Sequence, residues 1–150
     1  MQVESTFTSR LAPLSDPYEV SREKIREFAR ALGDDDPAYR DPAAAGAYGH
    51  PDVIAPPTFV VLLTMRADAQ AAADAFGGDL DLAHILHRDQ RFTYTRPVRA
   101  TDRLVVTPDV EGREIDGRHV LTLHTEVRTT DGEHVCTATS VMVYTEPEQT

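Results

Sequence analysis

The sequence predicts an α+β fold in which a curved antiparallel sheet is wrapped around one long central helix. Its first half has apolar residues at helical spacing, whereas its second half alternates apolar and polar residues in the manner of half-buried strands. Residues 59–65 are apolar almost throughout, so a helix there must be surrounded by protein. A sheet with one apolar face needs a cover, and this helix is the natural one. At 150 residues, the chain suits a single domain spanning 1–150.

The chain opens with an irregular lead-in over residues 1–17, followed by a short extended piece at 18–20. Ser21 is a good N-cap, and apolar residues at i, i+3, i+4 and i+7 then predict a helix over residues 22–32. Gly33 ends this helix as a C′ residue, because glycine accepts the left-handed conformation that the position requires.

A small helix and a long helix come next. Asp41 and Pro42 suit the N-cap and first position of the small helix, which runs to Tyr48. Residues 50–57 contain three prolines and are predicted to form a loop. The long helix is expected to start at the last two of these prolines and to reach about Phe76. A helix of about twenty residues is roughly 30 Å long, close to a domain diameter.

The second half is predicted to be all strand. Four strands are expected near residues 84–95, 103–112, 118–129 and 133–144. Asp116-Gly117 and Asp131-Gly132 are hairpin turn signals, and tight turns between successive strands predict an antiparallel meander. The polar tail, residues 145–150, is expected to fray.

Composition excludes several classes of function. The formal net charge of −10 disfavours nucleic acid and an anionic membrane surface as partners, because both repel an acidic protein. The apolar runs are too short to span a bilayer, and the first ten residues lack the apolar core of a signal peptide. The single cysteine, Cys136, excludes an internal disulfide framework and fits a cytoplasmic location. Cys136 is predicted to be a small core residue rather than a nucleophile.

Two parts of the sequence carry a family resemblance. Residues 31–42 read Ala-Leu-Gly-Asp-Asp-Asp-Pro-Ala-Tyr-Arg-Asp-Pro. They resemble the signature of MaoC-like (R)-specific enoyl hydratases and 3-hydroxyacyl dehydratases, Gly/Ser-x-Asp-x-Asn-Pro-x-His-x-Asp. Residues 49–59 and 87–98 are similar to actinobacterial proteins related to the A and C subunits of the mycobacterial (3R)-hydroxyacyl-ACP dehydratase. The resemblance covers residues 5–145 and implies the hot-dog fold, a curved sheet around a central helix.

The resemblance also implies a chemistry. Adding or removing water across an α,β-unsaturated thioester needs a base, an acid and a donor to the oxyanion on the thioester carbonyl. In the family, an Asp and a His five positions apart and a backbone N–H at the start of the central helix take these roles. Carried over by position, Asp34 matches the Asp, Asp36 replaces an Asn, and Tyr39 replaces the His. Pro57, which has no N–H, stands at the oxyanion donor, and the Thr58 amide is the candidate replacement.

The altered motif leaves two roles open for Asp34. One is catalysis, and the other is bonding to backbone N–H groups in the turn beyond a helix end. Tyr39 is a proton donor but a poor base, since a free phenol has a pKa of about 10. Residues 34–36 lack the spacing of a calcium loop, so no metal is expected. No dinucleotide fingerprint or phosphate loop is present, so no cofactor is expected.

Three further residues are candidates for substrate binding. His50, in the loop after the small helix, is a possible stand-in for the missing His of the motif. His87 either faces the substrate groove or is an ordinary strand residue. Arg91 belongs to a basic stretch that also contains Arg88, Arg96 and Arg99. Arginine forks suit the phosphates of coenzyme A or of an acyl carrier phosphopantetheine, and the alternative is a solvated strand edge or intersubunit ion pairs.

Three functions are compatible with these observations. The first is a subunit of (3R)-hydroxyacyl-thioester dehydration that holds the substrate and has a weakened catalytic constellation. The second is a non-catalytic hot-dog homodimer that binds an acyl thioester, and the third is a structural role. The expected partners are an acyl thioester of acyl carrier protein or coenzyme A, and a second hot-dog chain. That chain is either a second copy or a catalytic MaoC-like subunit, because an unpaired edge strand invites pairing.

Overall fold

The computed structural model describes residues 6–10, 16–78 and 80–148. Within these ranges the helices are α1 (Arg22–Leu32), α2 (Pro42–Ala47) and α3 (Val61–Ala75), with short 3₁₀ turns at Pro37–Tyr39 and Leu82–His84. The strands are β1 (Thr6–Arg10), β2 (Tyr18–Glu19), β3 (Ile85–Tyr94), β4 (Arg103–Ile115), β5 (Arg118–Thr129) and β6 (His134–Thr145). The helix predicted over residues 22–32 and the four predicted strands are confirmed, with β4 three residues longer than expected.

The sheet is antiparallel, in the order β1-β4-β5-β6-β3, and β2 pairs with the start of β4. The hairpins at Asp116-Gly117 and Asp131-Gly132 are confirmed, but the predicted meander is wrong for β3, which lies beside β6 and not beside β4. The cause is the connection from β3 to β4. It pairs with the segment before α3, through the bridge between Ile54 and Arg99, instead of turning tightly.

The irregular lead-in predicted for residues 1–17 is wrong in part. Residues 6–10 form β1, which pairs with the second half of the long strand β4, from Thr6 opposite Arg113 to Arg10 opposite Asp109. The rest of the prediction for residues 1–5 and 11–15 lies outside the described residues. In the tail, Thr145 still belongs to β6, and residues 149–150 again lie outside the described residues.

The central helix starts later than predicted, at Val61 instead of the two prolines. Tight turns lead into its first residues. The Phe59 N–H donates to the Pro56 carbonyl and the Leu63 N–H donates to the Val60 carbonyl, each with a donor–acceptor distance of 2.9 Å. Such i→i−3 bonds often precede an α-helix. With 15 residues, α3 is roughly 22 Å long.

The core lies between α3 and the concave face of the sheet. Phe59, just before the helix, is fully buried and packs edge-on against Phe28 of α1, with ring centroids 5.5 Å apart. The expectation that the apolar half of α3 is surrounded by protein is wrong for this single chain. Leu62 is 40 % exposed and Met65 is 54 % exposed, so one apolar face of the helix is open.

Candidate functional site

A largely apolar cavity of about 340 Å³ lies where the Pro37–Tyr39 turn, the segment before α3 and the end of β3 meet. Its volume falls in the range of small-molecule sites. Two of the residues singled out in the sequence, Tyr39 and Pro57, form part of its wall. The other lining residues are Ile54, Ala55, Tyr94, Thr95, Arg96 and Pro97.

The acidic turn beside this cavity is built by helix α1 and its cap. Gly33 has φ of 71°, the left-handed conformation that ends the helix, as predicted. One oxygen of Asp34 then accepts the Asp36 N–H at 3.2 Å, and one oxygen of Asp36 accepts the Ala38 N–H at 2.9 Å. Both carboxylates are therefore used, in part, to hold the turn that presents Tyr39.

Tyr39 is buried, with 8 % of its surface exposed. Burial raises the pKa of its phenol, and the negative charges of Asp34 and Asp36 and a hydrogen bond with Asp34 raise it further. The hydroxyl therefore stays protonated at neutral pH. It is suited to donating a hydrogen bond or a proton, and unsuited to acting as a base.

The cavity wall contains a second tyrosine, Tyr94. The Tyr94 hydroxyl donates a hydrogen bond to the carbonyl oxygen of Pro57. A trans peptide unit is planar with its C=O and N–H opposed, so the N–H of Thr58 points away from Tyr94. Burial raises the pKa of Tyr94, and it also raises the pKa of the neighbouring Cys136 thiol to about 11. Cys136 is fully buried and, with that pKa, is not an activated nucleophile.

Arg96 lines the cavity, but its guanidinium is already occupied. It forms a two-pronged ion pair with Asp102, at 2.9 and 3.0 Å, and bonds to Glu133 at 3.0 Å. The hydrogen bonds to Asp102 raise the pKa of Arg96 still further above its usual range. Arg96 therefore acts as a rigid part of the wall, which removes it from the set of arginines available to a phosphate group.

Asp36 and Thr58 are next to the cavity in sequence but are not among its lining residues, and three other predicted binding residues lie away from both the cavity and the acidic turn. His50 is half-buried in the loop after α2, and its backbone N–H donates to the Ala45 carbonyl at 3.1 Å. His87 is exposed on β3, with Nε2 3.1 Å from the Asp89 carbonyl oxygen. Arg91 is exposed further along the same strand. The structure thus groups Asp34, Tyr39 and Pro57 and separates the other three from them.

The sequence analysis missed two features of the interior. Tyr94 alternates like any other strand residue, so nothing in its pattern indicated a contact with Pro57. Asp68 lies in the middle of α3 and is 98 % buried, with only 2 % of its surface exposed. Its signal was available, because it occurs five residues after Leu63 among the core-facing positions Thr64, Ala67 and Ala71.

The curved antiparallel sheet, the central helix and the acidic turn at its mouth define a hot-dog protein. The family model described as "FAS1-like, dehydratase domain region" matches residues 6–138, and the chain belongs to that family. A UPF0336 protein of Streptomyces avermitilis is 55 % identical over 111 residues, 74 % of this chain and 73 % of that protein. One of Streptomyces coelicolor is 50 % identical over 124 residues, 82 % of each.

Solved structures agree with this assignment. The HadBC (3R-hydroxyacyl-ACP dehydratase) complex of Mycobacterium tuberculosis contains a chain that is 32 % identical, with a TM-score of 0.74. That alignment covers 92 % of this chain and 95 % of the other. A MaoC-like dehydratase is 29 % identical with a TM-score of 0.79, over 92 % of this chain and 41 % of the larger one. The predicted fold and family are confirmed.

Two other kinds of site are absent from the described part of the chain. No helix there is long and apolar enough to cross a membrane. Nor do three or more His, Cys, Asp or Glu side chains of residues 6–10, 16–78 and 80–148 group as metal ligands would.

Proposed function

We propose that this chain is the substrate-holding subunit of a (3R)-hydroxyacyl-thioester dehydratase and has little turnover of its own. The residues that line the cavity are the main support for this proposal. Tyr39 and Pro57 line one apolar wall, at the positions where the family pattern has a His and a backbone amide donor. A buried, protonated phenol does not take a proton at neutral pH, and proline has no N–H to offer an oxyanion. The apolar walls still suit an acyl chain.

The expected loss of rate follows from the missing groups. Acid–base partners typically contribute 10²–10⁴-fold, and one oxyanion donor contributes a further ~10²–10³-fold. Thr58 is the candidate replacement donor, but its N–H points away from the Tyr94 wall. The isolated chain is therefore expected to be at least ~10⁴-fold slower than a member of the family with the complete constellation.

A partner subunit supplies the missing groups in this proposal. The exposed Leu62 and Met65 give α3 an open apolar face. The outer edge of β3 pairs with no other strand among the described residues, which leaves a template for a second sheet. The similarity to a chain of the HadBC complex favours a catalytic MaoC-like subunit, with its own Asp and His, as that second hot-dog chain.

The substrate is proposed to be an acyl thioester of acyl carrier protein or coenzyme A, bound in the cytoplasm. Arg88 and Arg91 are exposed on β3 and make no ion pair with another described residue, so they are available for the phosphates of the carrier. In this proposal Asp34 holds the acidic turn, and the Tyr39 hydroxyl exchanges its hydrogen bond with Asp34 for one that it donates to the bound thioester.

The test compares the chain alone with the chain plus a MaoC-like subunit that retains Asp and His, encoded in the same genome. Hydration of crotonyl-CoA is expected to be slow with either protein alone and to rise at least 100-fold for the pair. Asp34→Asn is expected to leave most of the pair's rate, whereas an Asp→Asn change in the partner's motif abolishes it. Fast hydration by the isolated chain that is lost in Asp34→Asn contradicts the accessory role. Tight crotonyl-CoA binding without turnover in any pairing instead indicates a non-catalytic binding homodimer.

A further inference from the structure

Asp68 is a carboxyl group buried between α3 and the sheet, and no cationic side chain among the described residues is bonded to it. Its side chain is 2 % exposed, and Thr64, Thr125 and Ser140 around it are fully buried. We call these four residues the Asp68 cluster. The Thr125 hydroxyl donates a hydrogen bond to a carboxyl oxygen of Asp68, with a donor–acceptor distance of 2.5 Å. A buried carboxylate without a counter-charge is costly, because its ionised form is far better solvated in water. None of the four residues lines the cavity, so the Asp68 cluster is a separate feature.

Two members of the Asp68 cluster have hydroxyl groups with no hydrogen-bond partner in the described part of the chain. The oxygens of Thr64, on α3, and Ser140, on β6, are both buried and unbonded. Ser140 is near enough to favour the ionised form of Asp68, although its oxygen does not meet hydrogen-bond geometry. A protonated carboxyl can donate to such an oxygen, whereas a carboxylate can only accept. The hydrogen-bonding options of the Asp68 cluster therefore depend on whether Asp68 carries a proton.

The charged surroundings of Asp68 are sparse. The core faces of β4 and β5 beneath α3 present apolar residues such as Val110 and Leu123, apart from Thr125 itself. Asp109 of β4 alternates onto the opposite face of the sheet. From β3, the exposed His87 acts on Asp68 electrostatically and lowers its pKa. On α3 itself, the charged residues Arg66 and Asp74 are exposed.

Burial dominates and raises the pKa of Asp68 to about 6, while Thr125, Ser140 and His87 oppose the rise. The folded chain thus binds this proton more tightly than the unfolded chain, in which an Asp has a pKa of about 3.9. The stability that the bound proton contributes is complete below the unfolded pKa. It is lost as the pH rises through the folded value, so the relevant window runs from about 4 to above 6.

We propose that Asp68 is a proton-linked positioning residue: uptake of one proton at this carboxyl tightens α3 against the sheet, and its loss loosens that packing. Because α3 follows directly on the turn that carries Pro57, the packing of the helix also sets the position of one cavity wall. His87 lies on the edge strand β3, so a partner chain that covers this strand reaches the buried carboxyl through His87. The link to the cavity rests on the proposed function, whereas the link to stability does not.

The first experiment measures stability against pH. Asp68→Asn keeps an oxygen to accept from Thr125 and removes the charge. The folding equilibrium constant of Asp68→Asn, divided by that of the wild-type chain, is expected to rise roughly 100-fold between pH 4 and pH 8. Asp74→Asn, on an exposed carboxyl of the same helix, is the matched control, and its ratio is expected to stay flat. A flat ratio for Asp68→Asn overturns the proposal.

A second experiment uses the wild-type fold and needs no stable Asp68 variant. Carboxyl ¹³C NMR of the intact chain is expected to show Asp68 titrating near pH 6, and His87→Gln is expected to move this midpoint upward. A midpoint near 4, or one unmoved by His87→Gln, contradicts the proposal. For the link to the cavity, the affinity for crotonyl-CoA is expected to fall above pH 6 in the wild type and not in Asp68→Asn. If the ratio of folding equilibrium constants rises as expected and crotonyl-CoA binds at no pH, the proposed function is wrong. The proton-linked role of Asp68 in the packing of α3 is then still supported.

Discussion

The hydroxyl of Tyr94 donates a hydrogen bond to the carbonyl oxygen of Pro57 and thereby joins the edge strand β3 to the turn that precedes the central helix. Both residues line the cavity. The bond uses the carbonyl of Pro57, the residue for which the family resemblance implies an N–H donor. It also links two elements that both contribute residues to the cavity wall.

Tyr94→Phe is expected to lower the free energy of unfolding by about 1 kcal/mol, the usual net contribution of one hydrogen bond. It is also expected to weaken crotonyl-CoA binding, because the hydrogen bond that holds the Pro57 side of the cavity wall is lost. Tyr48→Phe is the control, since Tyr48 is 76 % exposed and its change is expected to leave both quantities the same. Denaturant unfolding and calorimetric titration measure the two effects. An unchanged affinity for crotonyl-CoA in Tyr94→Phe would show that the hydrogen bond between Tyr94 and Pro57 does not shape the binding site.

The ion pair between Arg96 and Asp102 is expected to contribute more to the free energy of unfolding than the exposed ion pairs do, because its two side chains are only 14 % and 8 % exposed. Asp102 also accepts the Arg99 backbone N–H at 3.0 Å. Asp102→Asn leaves a largely buried guanidinium without its main partner, which is expected to cost about 3 kcal/mol.

The matched control for Asp102 is the ion pair between Arg22 and Asp52, in which Arg22 is 56 % exposed. Its removal by Arg22→Ala is expected to cost much less stability than Asp102→Asn, because water and salt screen an exposed ion pair. Urea unfolding of the two variants gives the comparison directly. Equal losses in both would mean that burial does not strengthen the Arg96 pair.

The sequence was sufficient for the elements whose boundaries depend on local chemistry. Ser21 and Gly33 fixed α1, since a capping hydroxyl and a left-handed glycine act within one helical turn. The position of β3 was not predictable in the same way. A strand's alternation indicates which face is buried, but not which neighbour it pairs with, and here β3 pairs with the distant strand β6 and not with its successor β4.

The same limit applied to the site. Asp34, Tyr39 and Pro57 were found because a motif places them near one another in the sequence or in the family pattern. Tyr94 belongs to a strand that reaches Pro57 only in the folded chain. Arg96 was a candidate for phosphate binding in the sequence, but in the fold its guanidinium bonds to Asp102 and Glu133. Contacts between residues tens of positions apart are set by tertiary packing, which no short motif records.

The open apolar face of α3 is expected to be an interface with a second hot-dog chain. Leu62→Glu combined with Met65→Glu puts two charges on that face and is expected to abolish association, because desolvating an unpaired carboxylate is unfavourable. Leu32→Glu is the control on another exposed leucine, at 53 %. Sedimentation velocity, with and without the proposed catalytic subunit, reports the assembly. Association that survives the double change would place the interface elsewhere.

Restoring the family residues is expected to restore turnover. Tyr39→His supplies a base beside Asp34, and Pro57→Gly returns a backbone N–H to the start of the central helix. The double variant is expected to hydrate crotonyl-CoA at least 100-fold faster than the wild-type chain, with each single change giving less. Adding Asp34→Asn to the double variant is expected to remove the gain, because the family chemistry needs both the Asp and the His of its motif. Circular dichroism checks that all variants fold. If the folded double variant gains nothing, the cavity beside Tyr39 does not bind the thioester in a reactive position, and the accessory role must be sought in another part of the chain.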